Sequence, residues 1–156
     1  MAGTSTFIDT SNISYVIAIT GNISQNSYNA DVSLTDLSSV TLGTDVTKIG
    51  VDAFRSASIL NSITIPNTVT NIAEDAFKNA SNLETVTFED DSSLNSIGTR
   101  AFYSASSLTS IEIPNSVISI GLNAFKYDVS LTSVTFESDS SLATIGQSAF
   151  FNTKIY

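Results

Sequence analysis

The sequence predicts a solenoid, a right-handed stack of similar coils with a parallel β-sheet along one side. Three observations predict it: an Ala-Phe pair that recurs, apolar residues at fixed distances from that pair, and a short strand pattern in each copy. The pairs are spaced 23, 25, 23 and 25 residues apart, at Ala53-Phe54, Ala76-Phe77, Ala101-Phe102, Ala124-Phe125 and Ala149-Phe150. Self-similarity at such a period is typical of coils that cannot bury their apolar faces alone and are covered by their neighbours.

Each copy contains three local patterns, which the second copy shows clearly. Residues 83–88 alternate apolar and polar side chains at their end, which predicts a short strand. Residues 69–72 indicate a second, shorter extended segment. Residues 74–78 lack β-branched side chains and carry acids first and a base last, which favours a single helical turn. One strand per coil, stacked in register, gives the predicted sheet, and the Phe residues form an internal ladder.

Glycine and proline mark the bends of each coil. Glycine follows the isoleucine of the shorter segment in four copies, at Gly50, Gly98, Gly121 and Gly146, while Ala73 takes that place in the other. A recurrent glycine indicates either a positive φ or a close backbone approach. After the strand, the links alternate between a short Pro-Asn form, beginning at Pro66 and Pro114, and a longer acidic form over 89–93 and 137–141. The alternation creates a larger unit of 48 residues, 46–93 and 94–141.

The two ends of the chain depart from the repeat. Residues 1–36 are predicted to form an N-terminal cap, with a strand over 13–20 and a turn-rich link over 21–29. Residues 37–156 are predicted to form a solenoid of about five coils, the last one incomplete. An uncapped coil exposes an apolar face and an unpaired strand edge. A longer native chain, a fold-over of Ile155-Tyr156 or a second copy of the chain could cover this end, and of these we expect an end-to-end homodimer through residues 142–156.

The repeat resembles the BspA-like, Treponema pallidum-type class of leucine-rich repeat. The frame L-x-x-I-x-I-P-x-x-V-x-x-I-G-x-x-A-F stands at 108–125 as LTSIEIPNSVISIGLNAF, and the similarity covers roughly 37–150. The resemblance implies a curved solenoid with the sheet on its concave side and short helical turns or irregular segments on the other. It also implies an extracellular or cell-surface location, a role in adhesion or protein binding, and no catalytic residues.

One position departs from that family. Its members usually have cysteine three residues after the Phe, where this chain has Ala57, Ala80, Ala105, Asp128 and Thr153. We expect the small buried slot to be kept in the first three coils and lost in the last two.

Composition excludes several classes of function. The 156 residues carry a net charge of −9, so nucleic acid is not an expected partner. The chain has no Cys and no His, which removes thiol chemistry, Ser-His-Asp triads and His-ligated zinc. Residues 1–12 lack the pattern of a signal peptide, and no apolar stretch is long enough for membrane insertion. We expect no enzyme activity, no cofactor and no metal.

The candidate binding site is the set of strand side chains that point away from the core. They form two rows on the concave face: Ser39, Ser62, Thr85, Ser110, Ser133, and Thr41, Thr64, Thr87, Glu112, Thr135. Such rows are either ordinary solvated strand residues or a surface for a protein or glycan ligand. A threonine ladder at the spacing of a sheet could also match an ice surface, but the curvature of the solenoid and the charge of Glu112 argue against ice binding.

Three other groups are weaker candidates. The acidic links offer carboxylates for Ca²⁺ but lack the full calcium-loop pattern. A basic and aromatic stripe follows the Phe residues at Arg55, Lys78, Tyr103, Lys126 and Phe151 and indicates either surface packing or a second, weaker interaction face. Glu84 and Glu112 lie nearest a cleft, but not in the fixed alignment that a glycosidase needs. The prediction is therefore a non-enzymatic interaction module, and the alternative is a structural spacer of a larger surface or fibre protein.

Overall fold

A computed structural model describes residues 5–9, 14–17, 21–23 and 37–155, and these form thirteen β-strands and no helix. Seven strands line one side of the stack, which we call the major sheet: β1 (Ser5–Asp9), β2 (Ser14–Ile17), β4 (Leu37–Thr41), β6 (Ser62–Ile65), β8 (Thr85–Phe88), β10 (Ser110–Ile113) and β12 (Ser133–Phe136). Six shorter strands form the minor sheet: β3 (Gly21–Ile23), β5 (Val46–Ile49), β7 (Asn71–Ile72), β9 (Ser96–Ile97), β11 (Ser119–Ile120) and β13 (Thr144–Ile145).

The major sheet confirms the predicted parallel stack. Strands β4, β6 and β8 pair in parallel and in register, so that Ile63 lies between Val40 and Val86. Strands β10 and β12 pair in the same way. At the start of the sheet, β1 pairs antiparallel with both β2 and β4. Strand β2 falls within the strand predicted over 13–20, and the rest of that segment lies outside the described residues. The assignment of 1–36 as a cap stays a prediction.

The minor sheet confirms the second extended segment and goes beyond it. Its strands β5, β7, β9, β11 and β13 pair in parallel, one per coil, and stack their isoleucines on one another. Sequence patterns predicted the segment but not that its copies would form a sheet. Strand β3 pairs in parallel with β5. Residues 21–23 therefore form a strand where the sequence predicted a turn-rich link, and 24–29 lie outside the described residues.

The predicted helical turn over 74–78 is wrong, and the irregular alternative is confirmed. Asp75 has a φ of 57° and Asn79 a φ of 60°, and both values lie in the left-handed region that an α-helix cannot include. The same two positions have positive φ in all five coils, so each Ala-Phe pair stands between two left-handed residues. The chain thus bends sharply on both sides of the pair instead of winding into a helix.

Hydrogen bonds between coils replace the missing helical ones. The backbone N–H of Phe77 donates to the carbonyl oxygen of Ala101 in the next coil at 2.6 Å, and Phe102 donates to Ala124 at 2.8 Å. Corresponding bonds start at Phe54 and Phe125. The turns therefore form a third column of inter-coil bonds beside the two sheets, and buried backbone groups on all sides of the coil find partners.

The phenylalanine ladder is confirmed and fills the core. The rings of Phe54, Phe77, Phe102, Phe125 and Phe150 stack with centroids 5.0 to 5.2 Å apart and planes within 7° of parallel. This separation matches the spacing of neighbouring strands, about 4.8 Å. The first four rings are fully buried among the apolar residues of their coils. Ring stacking and strand pairing therefore require the same distance between coils.

The recurrent glycines provide close backbone approach. A Cβ atom on Gly98 would lie 2.7 Å from the carbonyl carbon of Ala73, and one on Gly121 would lie 2.6 Å from that of Gly98. Both distances are shorter than real contacts of a Cβ, and neither glycine has a positive φ. Of the two explanations that the sequence left open, close approach is the one that applies at these positions.

The two kinds of link fit onto each other. Glu89 of a long link accepts a hydrogen bond from the backbone N–H of Asn67 in the preceding short link at 3.1 Å, and the Ser93 N–H donates to the Asn67 carbonyl at 3.0 Å. Glu137 and Ser141 make the same two bonds to Asn115, at 2.9 and 2.8 Å. Each long link therefore docks on the short link before it, which joins two coils into the 48-residue unit.

The Phe ladder predicts a gradient of mutational cost along the stack. Phe102 is fully buried between two rings, so Phe102→Ala should lower the free energy of unfolding by about 3–5 kcal/mol. Phe150 is only partly buried and stacks on Phe125 alone among the described rings, so Phe150→Ala should cost less. Urea titrations of both variants would measure the difference. Equal losses would contradict the stacked order.

Candidate binding surface

The predicted rows of polar side chains lie on the outer face of the major sheet. Strand pairing sets Ser62 beside Thr85, and Thr64 beside Thr87, while Ser110 and Glu112 pair with Ser133 and Thr135. These side chains are exposed, apart from the half-buried Ser62. Ser39 and Thr41 continue the rows by strand register, but their side chains lie outside the described residues. The structure thus places the predicted positions in one polar face. Whether that face binds a ligand stays a prediction.

The major sheet is interrupted between β8 and β10. Strands β6 and β8 are hydrogen-bonded neighbours, as are β10 and β12, but the ladder does not continue from β8 to β10. In the two intact pairs, the residue directly after β8 or β12 adds one more bond to the ladder. The N–H groups of Glu89 and Glu137 donate to the carbonyl oxygens of Ile65 and Ile113, each at 3.0 Å. The residue that would make the same bond to Phe88 is Pro114, which has no N–H. This proline removes a donor from the ladder at that point.

A groove follows this interruption. Its cavity has a volume of about 260 Å³ and is lined in part by Val86 and Ile111. Hydroxyl groups are contributed by Thr85, Thr87 and Ser110. Three carboxylate side chains also line it: Glu84, Glu112 and Glu137. The sequence singled out Glu84 and Glu112 as nearest a cleft, and the structure places both at this groove. The sequence did not indicate the cavity, because Pro66 follows β6 as Pro114 follows β10, and the ladder between β4 and β6 is intact.

Four basic side chains lie on the side of the Ala-Phe turns: Arg55, Lys78, Arg100 and Lys126. Asp75 is nearly buried in a turn and bonds to Arg100 of the next coil, with Nε 2.6 Å from Oδ1, and to Lys78 at 3.2 Å. Burial alone would raise the pKa of Asp75, but the hydrogen bonds to Arg100 and Lys78 outweigh it and hold the pKa below its ordinary value. Arg55 pairs with Asp52 at 3.0 Å in the turn before. The pair of Arg100 with Asp75 therefore links neighbouring turns, whereas the other two pairs stay within one turn.

The basic and aromatic stripe forms contacts within itself. The ammonium group of Lys126 lies 5.0 Å from the ring centroid of Tyr127 and 5.1 Å from that of Phe151. Lys78 lies 5.6 Å from the ring of Tyr103, which packs edge-on against Tyr127. Such cation–π contacts are favourable packing on a protein surface. These contacts favour the packing interpretation of the stripe; a role as a second interaction face stays a prediction.

The acidic links do not gather into a metal site. Among the described residues, no group of three or more carboxylates is arranged to hold a metal ion. The carboxylates of Glu89 and Glu137 instead accept backbone hydrogen bonds from the short links. Within the same part of the chain, no helix has the length and apolar character needed to cross a bilayer.

Asp128 is one of two buried acids among the described residues, and unlike Asp75 it has no ion-pair partner there. It is fully buried and occupies the slot held by Ala57, Ala80 and Ala105 in the preceding coils. The slot is therefore kept in the fourth coil, and the expectation that it would be lost there was wrong. Neither side-chain oxygen has a hydrogen-bond partner among the described residues. Burial raises the pKa of Asp128 to about 9, only partly offset by the nearby backbone of Ala105.

Comparison with known proteins supports both the repeat and the fold. The profile of the BspA type leucine-rich repeat region matches residues 21–156 in six copies. No curated protein matches the chain significantly.

Solved structures with a similar fold come from several bacteria. The pneumococcal vaccine antigen PcpA is 28% identical, with a TM-score of 0.67 over 90% of this chain and 37% of that one. A leucine-rich repeat protein of T. pallidum is 27% identical, with a TM-score of 0.70 over 76% of this chain and 56% of that one. A leucine-rich repeat protein of Bacteroides ovatus is 26% identical, with a TM-score of 0.50 over 95% and 40% of the two chains. The chain spans between about a third and just over half of these proteins' lengths.

Asp128 generates a prediction about stability and pH. The unfolded chain ionises this carboxyl near its ordinary pKa of 3.8, whereas the folded chain keeps it protonated up to about pH 9. Stability should therefore be highest below about pH 4 and fall as pH rises through this window. Asp128→Ala should remove the penalty and raise the free energy of unfolding at pH 7 by roughly 2–4 kcal/mol.

Urea titrations at pH 4 and pH 7 would measure this gain, which should be smaller at pH 4. Asp90→Ala, which removes an exposed carboxylate from a long link, is the matched control and should have little effect. A loss of stability in Asp128→Ala at pH 7 would show that the carboxyl is satisfied in the folded protein.

Proposed function

Because the chain belongs to the BspA-type leucine-rich repeat family, we propose that it is a non-enzymatic module that binds a protein partner through the outer face of its major sheet. The observation that carries the proposal is the set of exposed polar side chains held in register on that face. Parallel strands hold these groups at fixed spacings, so little conformational entropy is lost when a partner binds them.

The surface character of the described residues supports a protein partner over other classes. A net charge of −9 disfavours nucleic acid and anionic membranes. The hydroxyl rows can donate and accept hydrogen bonds, which also suits a glycan, and this is the alternative ligand. A threonine surface for ice is disfavoured because Glu112 and the interruption at β8 and β10 break its regularity.

We also propose an extracellular or cell-surface location. The similar pneumococcal protein is described as a vaccine antigen, and a leucine-rich repeat family typical of surface proteins matches most of this chain. The remaining alternative for function is a structural spacer within a longer surface or fibre protein, with no ligand of its own.

Substitutions on the major sheet distinguish a binding module from a spacer. The double variant Thr64→Arg and Thr87→Arg places two large cations on the proposed face, and it should abolish binding to a partner found on an array of purified extracellular proteins and glycans. The control Thr47→Arg and Asn95→Arg adds the same charge at exposed positions on the side of the minor sheet.

The control should keep the affinity of the parent protein, and both double variants should keep its melting temperature. Loss of binding in both, or no binding partner on the array for the parent, would favour the spacer.

We further propose that the described coil at 142–155 associates end to end. Ile145 is 52% exposed at the position where the corresponding Ile120 is buried, and Phe151 is 56% exposed. A self-complementary apolar patch favours a two-fold dimer.

Sedimentation of the parent over a range of concentrations should show a dimer that Ile145→Asp dissociates. Val51→Asp, at an exposed apolar position in an earlier coil, should leave the dimer intact. A parent that stays monomeric at high concentration would exclude this association.

A further inference from the structure

The groove between β8 and β10 differs from the rest of the major sheet in both shape and charge. Elsewhere in the described chain, neighbouring strands of this sheet are joined by a hydrogen-bonded ladder, and here the ladder stops. We propose that this groove binds an arginine or lysine side chain from an extended segment of a protein partner. The proposal rests on the proposed function, and it names the chemistry of the partner and the place of contact.

The floor and walls of the groove suit a long cationic side chain. Phe88 is half-buried and lines the groove, so its ring offers apolar surface to the methylene groups of arginine or lysine, whereas Val86 and Ile111 are exposed by only 7% and 3% and belong to the core. The hydroxyl groups of Thr85, Thr87 and Ser110 at the groove are acceptors for the N–H groups of the charged end. A volume of about 260 Å³ holds one such side chain together with water.

Carboxylates are distributed along the length of this groove. Glu84 directly precedes β8, Glu112 lies in β10, and Glu137 directly follows β12, so acidic groups stand at both ends and between them. The side chains of Glu84 and Glu112 are exposed, and their carboxylates have no hydrogen-bond or ion-pair partner among the described residues. Glu137 accepts a bond from Asn115, which leaves its negative charge in place. An extended segment lying along the strands would meet more than one of these charges.

No lysine or arginine lines this groove, and Lys154, whose backbone N–H donates to the carbonyl oxygen of Leu131, lies on the far side of β10 and β12. The chain has six Lys and Arg residues, and none of them belongs to a strand of the major sheet. Arg55, Lys78 and Arg100 are engaged with carboxylates of the turns, and Lys126 lies against aromatic rings. The field over the groove is therefore negative, and a cation placed near two carboxylates gains Coulomb energy that salt will weaken.

A labelled decapeptide of alternating arginine and serine is a direct probe of the groove. Its affinity for the whole chain would be measured by fluorescence anisotropy at low and physiological salt. The double variant Glu84→Gln and Glu112→Gln keeps the side-chain shapes and removes both free charges. We expect it to weaken binding by about tenfold at low salt. The matched control Asp90→Asn and Asp139→Asn removes two charges from exposed links outside the groove and should change the affinity less than twofold.

Backbone amide shifts locate the contact independently of total charge. The peptide should shift the amides of Thr85–Phe88 and Ser110–Ile113 more than those of the minor sheet. Equal weakening in the two double variants, or shifts spread over the acidic links, would overturn the groove and indicate general attraction to an acidic protein. A partner that Thr64→Arg and Thr87→Arg releases but the glutamine variant keeps would also overturn the groove while leaving the proposed function standing.

Discussion

The spacing of about 5 Å between coils is the constraint on which the rest of this structure depends. The stacked rings of the Phe ladder, the two parallel sheets and the bonds between turns all require this distance. The glycines make it attainable, because a Cβ on Gly98 or Gly121 would collide with the backbone of the coil before it. A change that forces two coils apart therefore weakens several columns of contacts together.

Departures from this regularity concentrate where the chain differs from one coil to the next. The ladder of the major sheet stops between β8 and β10, and the groove lies at this break. Asp128 places a carboxyl where earlier coils have alanine, and the core there contains a buried acid without a partner. The regular positions explain why the solenoid is stable, whereas the irregular ones distinguish this chain from a uniform repeat and provide its chemically distinctive sites.

Sequence patterns predict the stack well because each coil must bury the same apolar side chains. The spacing of the Ala-Phe pairs in the sequence therefore gives the length of one coil. They predict the outward rows for the same reason, since side chains alternate along a strand. The turn at Asp75 was misjudged because its composition resembles a helix start, while its left-handed φ depends on the surrounding coils. The break between β8 and β10 has no signal in the sequence, because Pro66 follows β6 as Pro114 follows β10, and the ladder between β4 and β6 is nevertheless intact.

The fit of each long link onto the short link before it also bears on how such a chain can lengthen by duplication. Copying only the coil that carries a long link would set two long links side by side, and the glutamate of the second would no longer lie on the backbone amide of a short link such as that of Asn67 or Asn115. Copying residues 46–93 as a block preserves every such match. Duplication of this two-coil block is therefore expected to lengthen the chain while keeping each bond between a long link and the short link before it.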